Sequence, residues 1–166
     1  MVHKATGDCL IFNGEIYNFR WLRAKLEAQG ANVRSSGDTE VLLNALVTWG
    51  EKALDQVDGM YAFAFYHAAS RRVLLARDPL GIKPLYVAQS RQAFVFASEV
   101  RTVLASGLVP SDLDPAGIAG MLAYGAPQDP LTIHREIRSF PAGSFEWIGA
   151  EAVAGSRPMH PHRFWR

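Results

Sequence analysis

The 166-residue sequence has a single cysteine, Cys9, so it excludes an internal disulfide framework and a multi-cysteine zinc site. It has almost no charge of either sign to spare: 17 Lys+Arg stand against 16 Asp+Glu, a net +1. A nucleic-acid-binding surface needs a clustered basic excess, and none is present. No apolar run reaches the roughly 18 residues a membrane span requires, and the N-terminus has no signal-peptide core. The five histidines are scattered apart from His160 and His162, with no carboxylate or cysteine at metal-ligand spacing. A Gly-rich phosphate cradle is also missing. What remains is a chain of 49% hydrophobic and 20% charged residues, expected to be one soluble, cytoplasmic domain that buries roughly two-thirds of its unfolded surface.

Its pattern predicts two helices followed by an antiparallel meander, an α+β layered fold. Leu10-Ile11-Phe12 is a short strand ending at the turn signal Asn13-Gly14. Trp21, Leu22 and Leu26 lie at helical spacing between a cap at Asn18 and a stop at Gly30. Residues 31–34 read as a further strand, and Asp38 opens a second helix with Val41, Leu42, Ala45 and Leu46 on one stripe. From Val57 the period becomes that of a strand. Residues 60–66 alternate large and small, 72–76 return as a partner, and 85–88 with 93–97 form a hairpin. Short helices follow near 99–105 and, capped by Asp114, to about Tyr124. A last strand pair includes 144–148, and 158–162 read as a linker.

The segment with most chemical content is Phe12-Asn-Gly-Glu-Ile-Tyr-Asn18. A strand ending in Asn-Gly can set a side-chain amide beside an unshielded backbone N–H, the two donors of an oxyanion hole. The same dipeptide is the commonest short hairpin turn, and the pattern alone leaves both open. Asp38 likewise reads as a helix N-cap. Arg77-Asp78 and Lys83 read as braces of a loop with two prolines. Tyr61 and Tyr66 read as strand core, and His134, His160 and His162 carry no evident role.

The run Phe12-Asn-Gly-Glu-Ile-Tyr-Asn-Phe-Arg20 resembles the glutaminase domain of glutamine-hydrolysing asparagine synthetases, class II amidotransferases with an N-terminal cysteine nucleophile. Ser36 to Leu43, Asp58 to Phe65, Ala76 to Tyr86, Phe96 to Arg101 and Ile137 to Gly143 follow in the same order. The resemblance implies a four-layer αββα N-terminal-nucleophile hydrolase fold with two stacked antiparallel sheets and its first strands missing. It also implies a partial amidotransferase domain over residues 1–155 and an exit linker over 156–166.

Carried over residue by residue, it implies Asn13 and Gly14 as the oxyanion pair, Glu15 lining the glutamine site and Asp38 holding the glutamine α-ammonium. L-Glutamine is the implied ligand. No cofactor is implied for this chain, since ATP and magnesium belong to the family's synthetase domain, which also chooses the nitrogen acceptor. The family's Cys-Gly start and its carboxylate-binding arginine segment have no counterpart in the sequence. Cys9 reads as structural, because its nitrogen is an ordinary peptide nitrogen and cannot act as the base.

The expectation is a glutamine-binding part of an asparagine-synthetase-like amidotransferase that releases no ammonia by itself. It would be partnered by a synthetase domain or an N-terminal segment and would be prone to self-association. Two alternatives are a non-catalytic glutamine-binding or regulatory module, and a relative with another acceptor, of amidophosphoribosyltransferase type or one that modifies peptidoglycan or polysaccharide.

Overall fold

The computed structural model describes residues 1–90, 92–153 and 159–165. Strand β1 (Cys9–Ile16) leads into helices α1 (Phe19–Ala28) and α2 (Asp38–Trp49), then a 3-10 stretch, Gly50–Asp55. The chain continues through β2 (Gly59–His67), β3 (Arg72–Arg77), β4 (Tyr86–Gln89), β5 (Phe94–Ala97), α3 (Val100–Ala105) and α4 (Pro115–Tyr124). It closes with β6 (Ile137–Ser139), β7 (Ser144–Ile148), α5 (Ala150–Val153) and β8 (His162–Arg163). Five strands form one antiparallel sheet in the order β1-β2-β3-β7-β8, and three form a second in the order β5-β4-β6.

The alternation in β2 explains the layering. Its large members Tyr61, Phe63 and Phe65 lie in one apolar cluster with Leu22, Leu26, Val41, Leu42 and Leu46 of α1 and α2. Each of these aromatics is at most 2% exposed, and full burial of such a side chain is worth about 1.5–3 kcal/mol. Its small members Ala62 and Ala64 face the other way, against Val87 of the second sheet and Leu85 and Phe140 at its strand ends. Small side chains there let the two sheets approach to the usual ~10 Å. A third cluster joins Val103 of α3 to Ala88 and Ile137 on the far face of the smaller sheet. The order is helices, sheet, sheet, helix: the αββα arrangement is present.

Four local expectations are corrected. Residues 31–34 are not a strand, because no neighbouring strand pairs with them and the Arg34 N–H is taken by the Glu40 carboxylate instead. Trp21 is 55% exposed and lies off the buried stripe of α1, with the Lys25 ammonium 5.1 Å from its ring. Asn18 stands at the start of α1 without a side-chain cap bond. Its amide joins the Gln56 carbonyl and the Asp58 N–H, tying α1 to the entry of β2. Beyond the described gap, Met159 packs in the inter-sheet core, β8 pairs with β7, and Phe164 packs on the helix-side core, where a linker was expected. The expected boundary at 155/156 lies outside the described residues.

Candidate functional site

Strand β1 is the edge of the larger sheet. Its backbone alternates, so one set of N–H and C=O groups pairs with β2 and the other set faces the free side. Leu10 marks that side: its N–H donates to the Met1 carbonyl at 2.8 Å, and its carbonyl accepts from the Met1 ammonium at 2.7 Å. Ile16 marks it again, since its N–H donates to Asp38 Oδ2 at 3.0 Å. Phe12 and Gly14, between them at the same parity, turn their backbone groups the same way. The Gly14 N–H therefore lies on the open edge, one alternation step from the Asp38 carboxylate.

Glycine at position 14 is a steric requirement. It stands opposite Tyr61 in the β1–β2 register, and a Cβ there would lie 2.2 Å from the Met60 carbonyl oxygen and 2.8 Å from the Tyr61 Cα. Both are backbone atoms, so no rotamer change relieves the clash. Its φ is not positive; the demand comes from the close approach of β2.

Asn13 pairs with Ala62, and its side chain is on the face of β1 that looks toward the smaller sheet. Its Nδ2 donates to Ser98 Oγ at 3.4 Å. Both line a cavity of about 280 Å³ at the open side between the sheets, with Ile11, Ala62, Leu85 and Phe96 as its apolar walls. Ile11 is 68% exposed at the mouth. Glu15 is exposed on the same face of β1, opposite Met60. A larger hollow of about 700 Å³ lies between the first residues and α2, lined by His3, Arg34, Glu40 and Asn44. It contains none of the four candidate residues.

Asp38 does not cap α2. Gly37 occupies the cap position and Asp38 is the first helical residue, so its carboxylate is available to reach β1. Oδ2 takes the Ile16 N–H and Oδ1 accepts from Thr39 Oγ1 at 3.3 Å. The structure thus gathers Asn13, Gly14 and Asp38 along one edge of the molecule.

The only cysteine is apart from them. Cys9 shares the Asn13 face of β1 but lies four positions earlier, about 14 Å along a strand that rises about 3.4 Å per residue. Its Sγ is 3.6 Å from the Gly7 carbonyl oxygen.

Behind the edge, Tyr61 is fully buried and its hydroxyl has no hydrogen-bond partner among the described residues. Burial pushes its pKa well up, helped by the negative Asp78 and Asp58, so it stays a neutral phenol. Arg77 and Asp78 are a brace, as their sequence context suggested. Asp78 accepts from the N–H groups of Tyr61, Leu80, Ile82 and Lys83, while Arg77 donates to the carbonyls of Gly81, Lys83 and Phe140 and to Ser139 Oγ. Among the described residues no group of three or more His, Cys, Asp or Glu could hold a metal ion, and no helix is long and apolar enough to cross a membrane. Sequence reasoning attached no role to Ser98; its one signal was its place inside the Phe96–Arg101 block.

Comparison with known proteins follows the same lines. A family profile described as "Glutamine amidotransferase domain" matches residues 1–165. Asparagine synthetase [glutamine-hydrolyzing] 3 of Bacillus subtilis is 34% identical over 130 residues, 78% of this chain and 21% of that protein. A putative asparagine synthetase [glutamine-hydrolyzing] of Mycobacterium bovis is 37% identical over 151 residues, 87% of this chain and 23% of that protein. The chain thus spans about a fifth of the length of these relatives. Among solved structures, the glutamine phosphoribosylpyrophosphate amidotransferase of B. subtilis superposes with a TM-score of 0.61 at 24% identity, covering 98% of this chain and 30% of that one. It shares the N-terminal-nucleophile amidotransferase fold.

Proposed function

Because the chain belongs to the glutamine amidotransferase domain family, we propose that its β1 edge is a glutamine site and that the chain is the glutamine-handling part of an asparagine-synthetase-like enzyme. The observation that carries this reading is that Asn13 and Gly14 lie on the edge strand β1 and that the Asp38 carboxylate is bonded to the same strand at Ile16. In this reading Asp38 holds the α-ammonium of glutamine by a charge-assisted hydrogen bond. The amide carbonyl of the ligand points at Asn13 Nδ2 and the Gly14 N–H, and Glu15 borders the site. Two preset N–H donors are what a developing oxyanion needs.

Glutamine hydrolysis also needs a nucleophile within about 3–3.5 Å of the amide carbon. The one thiol is about 14 Å along the strand from Asn13, and its residue's nitrogen is bound in a peptide. In this reading the 166-residue chain binds glutamine weakly, with Asp38 as the charged contact, and does not hydrolyse it. Activation of the nitrogen acceptor falls to the remaining four-fifths of the relatives' length, a synthetase partner that would use ATP and magnesium. The chain's own residues would supply only the glutamine contacts.

An ammonia-release assay on the chain and on Cys9→Ala tests this. No release above background from either is expected. Turnover that disappears with Cys9→Ala would make Cys9 the nucleophile and overturn the assignment of the edge.

A further inference from the structure

Ser98 follows β5, the edge strand of the smaller sheet, and faces Asn13 on β1, the edge strand of the larger one. Their hydrogen bond, Nδ2 to Oγ at 3.4 Å, spans the gap between the sheets at their open side. Among the described residues the Asn13 side chain makes no other hydrogen bond. A primary amide turns in a broad, roughly two-fold torsional well, and either its N–H₂ or its carbonyl can face a ligand. The two ends have opposite chemistry: the N–H₂ end attracts a carbonyl oxygen and the carbonyl end repels it. A donor that stabilises developing charge is useful only if it is oriented beforehand.

We propose that Ser98 is a positioning residue for the Asn13 amide. By accepting one Nδ2 proton, its hydroxyl oxygen fixes the amide plane and leaves the second proton on the same nitrogen turned into the 280 Å³ cavity. Its effect on the ligand is exerted through Asn13, whose amide it orients. The inference rests on the reading of Asn13 as the contact to the glutamine carbonyl, and the requirement it places on position 98 is a hydroxyl acceptor. Threonine satisfies it; alanine does not.

The test is side-chain amide NMR on the full chain, wild type, Ser98→Ala and Ser98→Thr. In Ser98→Ala the order parameter of the Asn13 Nδ2 group is expected to fall into the flexible range, below about 0.6. In Ser98→Thr it stays at the wild-type value, and backbone amide signals of β5 and α3 stay in place in both. An Asn13 amide equally ordered in Ser98→Ala and wild type overturns the proposal. So does loss of order in Ser98→Thr, which also decides the matter if Ser98→Ala disturbs β5.

Titration of L-glutamine into the same samples separates this from the functional reading. Binding about fivefold weaker in Ser98→Ala, and restored in Ser98→Thr, is the expected result, in line with one modest hydrogen bond. A hydroxyl-dependent Asn13 amide in a chain that shows no glutamine response upholds the positioning role and rejects the glutamine site.

Discussion

Two polar clusters flank Tyr61, and they are built on opposite terms. On the β3 side, Arg77 and Asp78 are 8% and 1% exposed, and their bonding capacity goes to main-chain groups of the 78–83 loop, to the Tyr61 N–H and to Ser139 and Phe140. On the β1 side, among the described residues, Asn13 has one weak side-chain bond and Asp38 two, and the strand edge between them faces outward. A saturated, buried cluster has nothing left for a ligand. The half-used, exposed one has. The prolines after Arg77-Asp78 already suggested a brace, whereas Asn13-Gly14 left turn and site both open, and the count of bonds made and bonds left over separates the two.

The sharpest way to break that contrast is at Asp78. Asp78→Ala would strand four N–H donors, three of them in one loop, and an unsatisfied buried donor costs about 1–3 kcal/mol. A loss of about 4 kcal/mol or more in a denaturant melt is expected. A melt within 1 kcal/mol of wild type would mean that the loop repairs itself with water and that the brace is not structural.

Gly14→Ala comes next, because the added methyl meets backbone of β2. About 2–3 kcal/mol of destabilisation is expected from the forced separation of β1 and β2. Glutamine binding should be lost with it, since the Gly14 N–H moves. Retained stability would show that the strand edge is plastic, and the oxyanion geometry with it.

Much of this arrangement was readable in advance. The core stripe of α2, the large-small alternation of β2 and the Asp114 cap each follow from local pattern, and each is present: Val41, Leu42, Ala45 and Leu46 are buried, and Asp114 Oδ1 accepts the Ala116 N–H at 3.0 Å. Elements that depend on distant partners were not. Strand β6 is three residues long and exists because β4 pairs with it, and β8 is two residues held by β7. Residues 31–34 have strand-like composition and no partner, so they form none. Asn13 and Asp38 could be named from the resemblance, but the bond of Asp38 to Ile16 could not, because it spans 22 positions and depends on Gly37 taking the cap.

The smallest expected effect lies away from both clusters and calibrates them. The Asp114 carboxyl is held below its ordinary value of 3.8 chiefly by the hydrogen bond from Arg138, 3.1 Å away, and by the Ala116 and Gly117 N–H groups. A carboxyl depressed in the folded state stabilises the protein above its unfolded-state pKa, and that contribution is lost as the pH falls through the folded value. Asp114→Asn should therefore flatten the acid limb of a stability-pH curve below about pH 4 and leave its shape near neutrality unchanged. An unchanged acid limb would show that other carboxylates dominate it.

The central claim is that the β1 edge takes glutamine through Asp38. Titration of L-glutamine into the ¹⁵N-labelled chain, wild type against Asp38→Asn, tests it most directly, because asparagine retains an oxygen to accept the Ile16 N–H while removing the charge. Shifts centred on Asn13, Gly14 and Ile16 in the wild type, weakened about tenfold or more in Asp38→Asn with a melt within about 1 kcal/mol, are the predicted result. Shifts centred instead on the hollow beside Arg34 and Asn44, or binding indifferent to Asp38→Asn, would contradict the account.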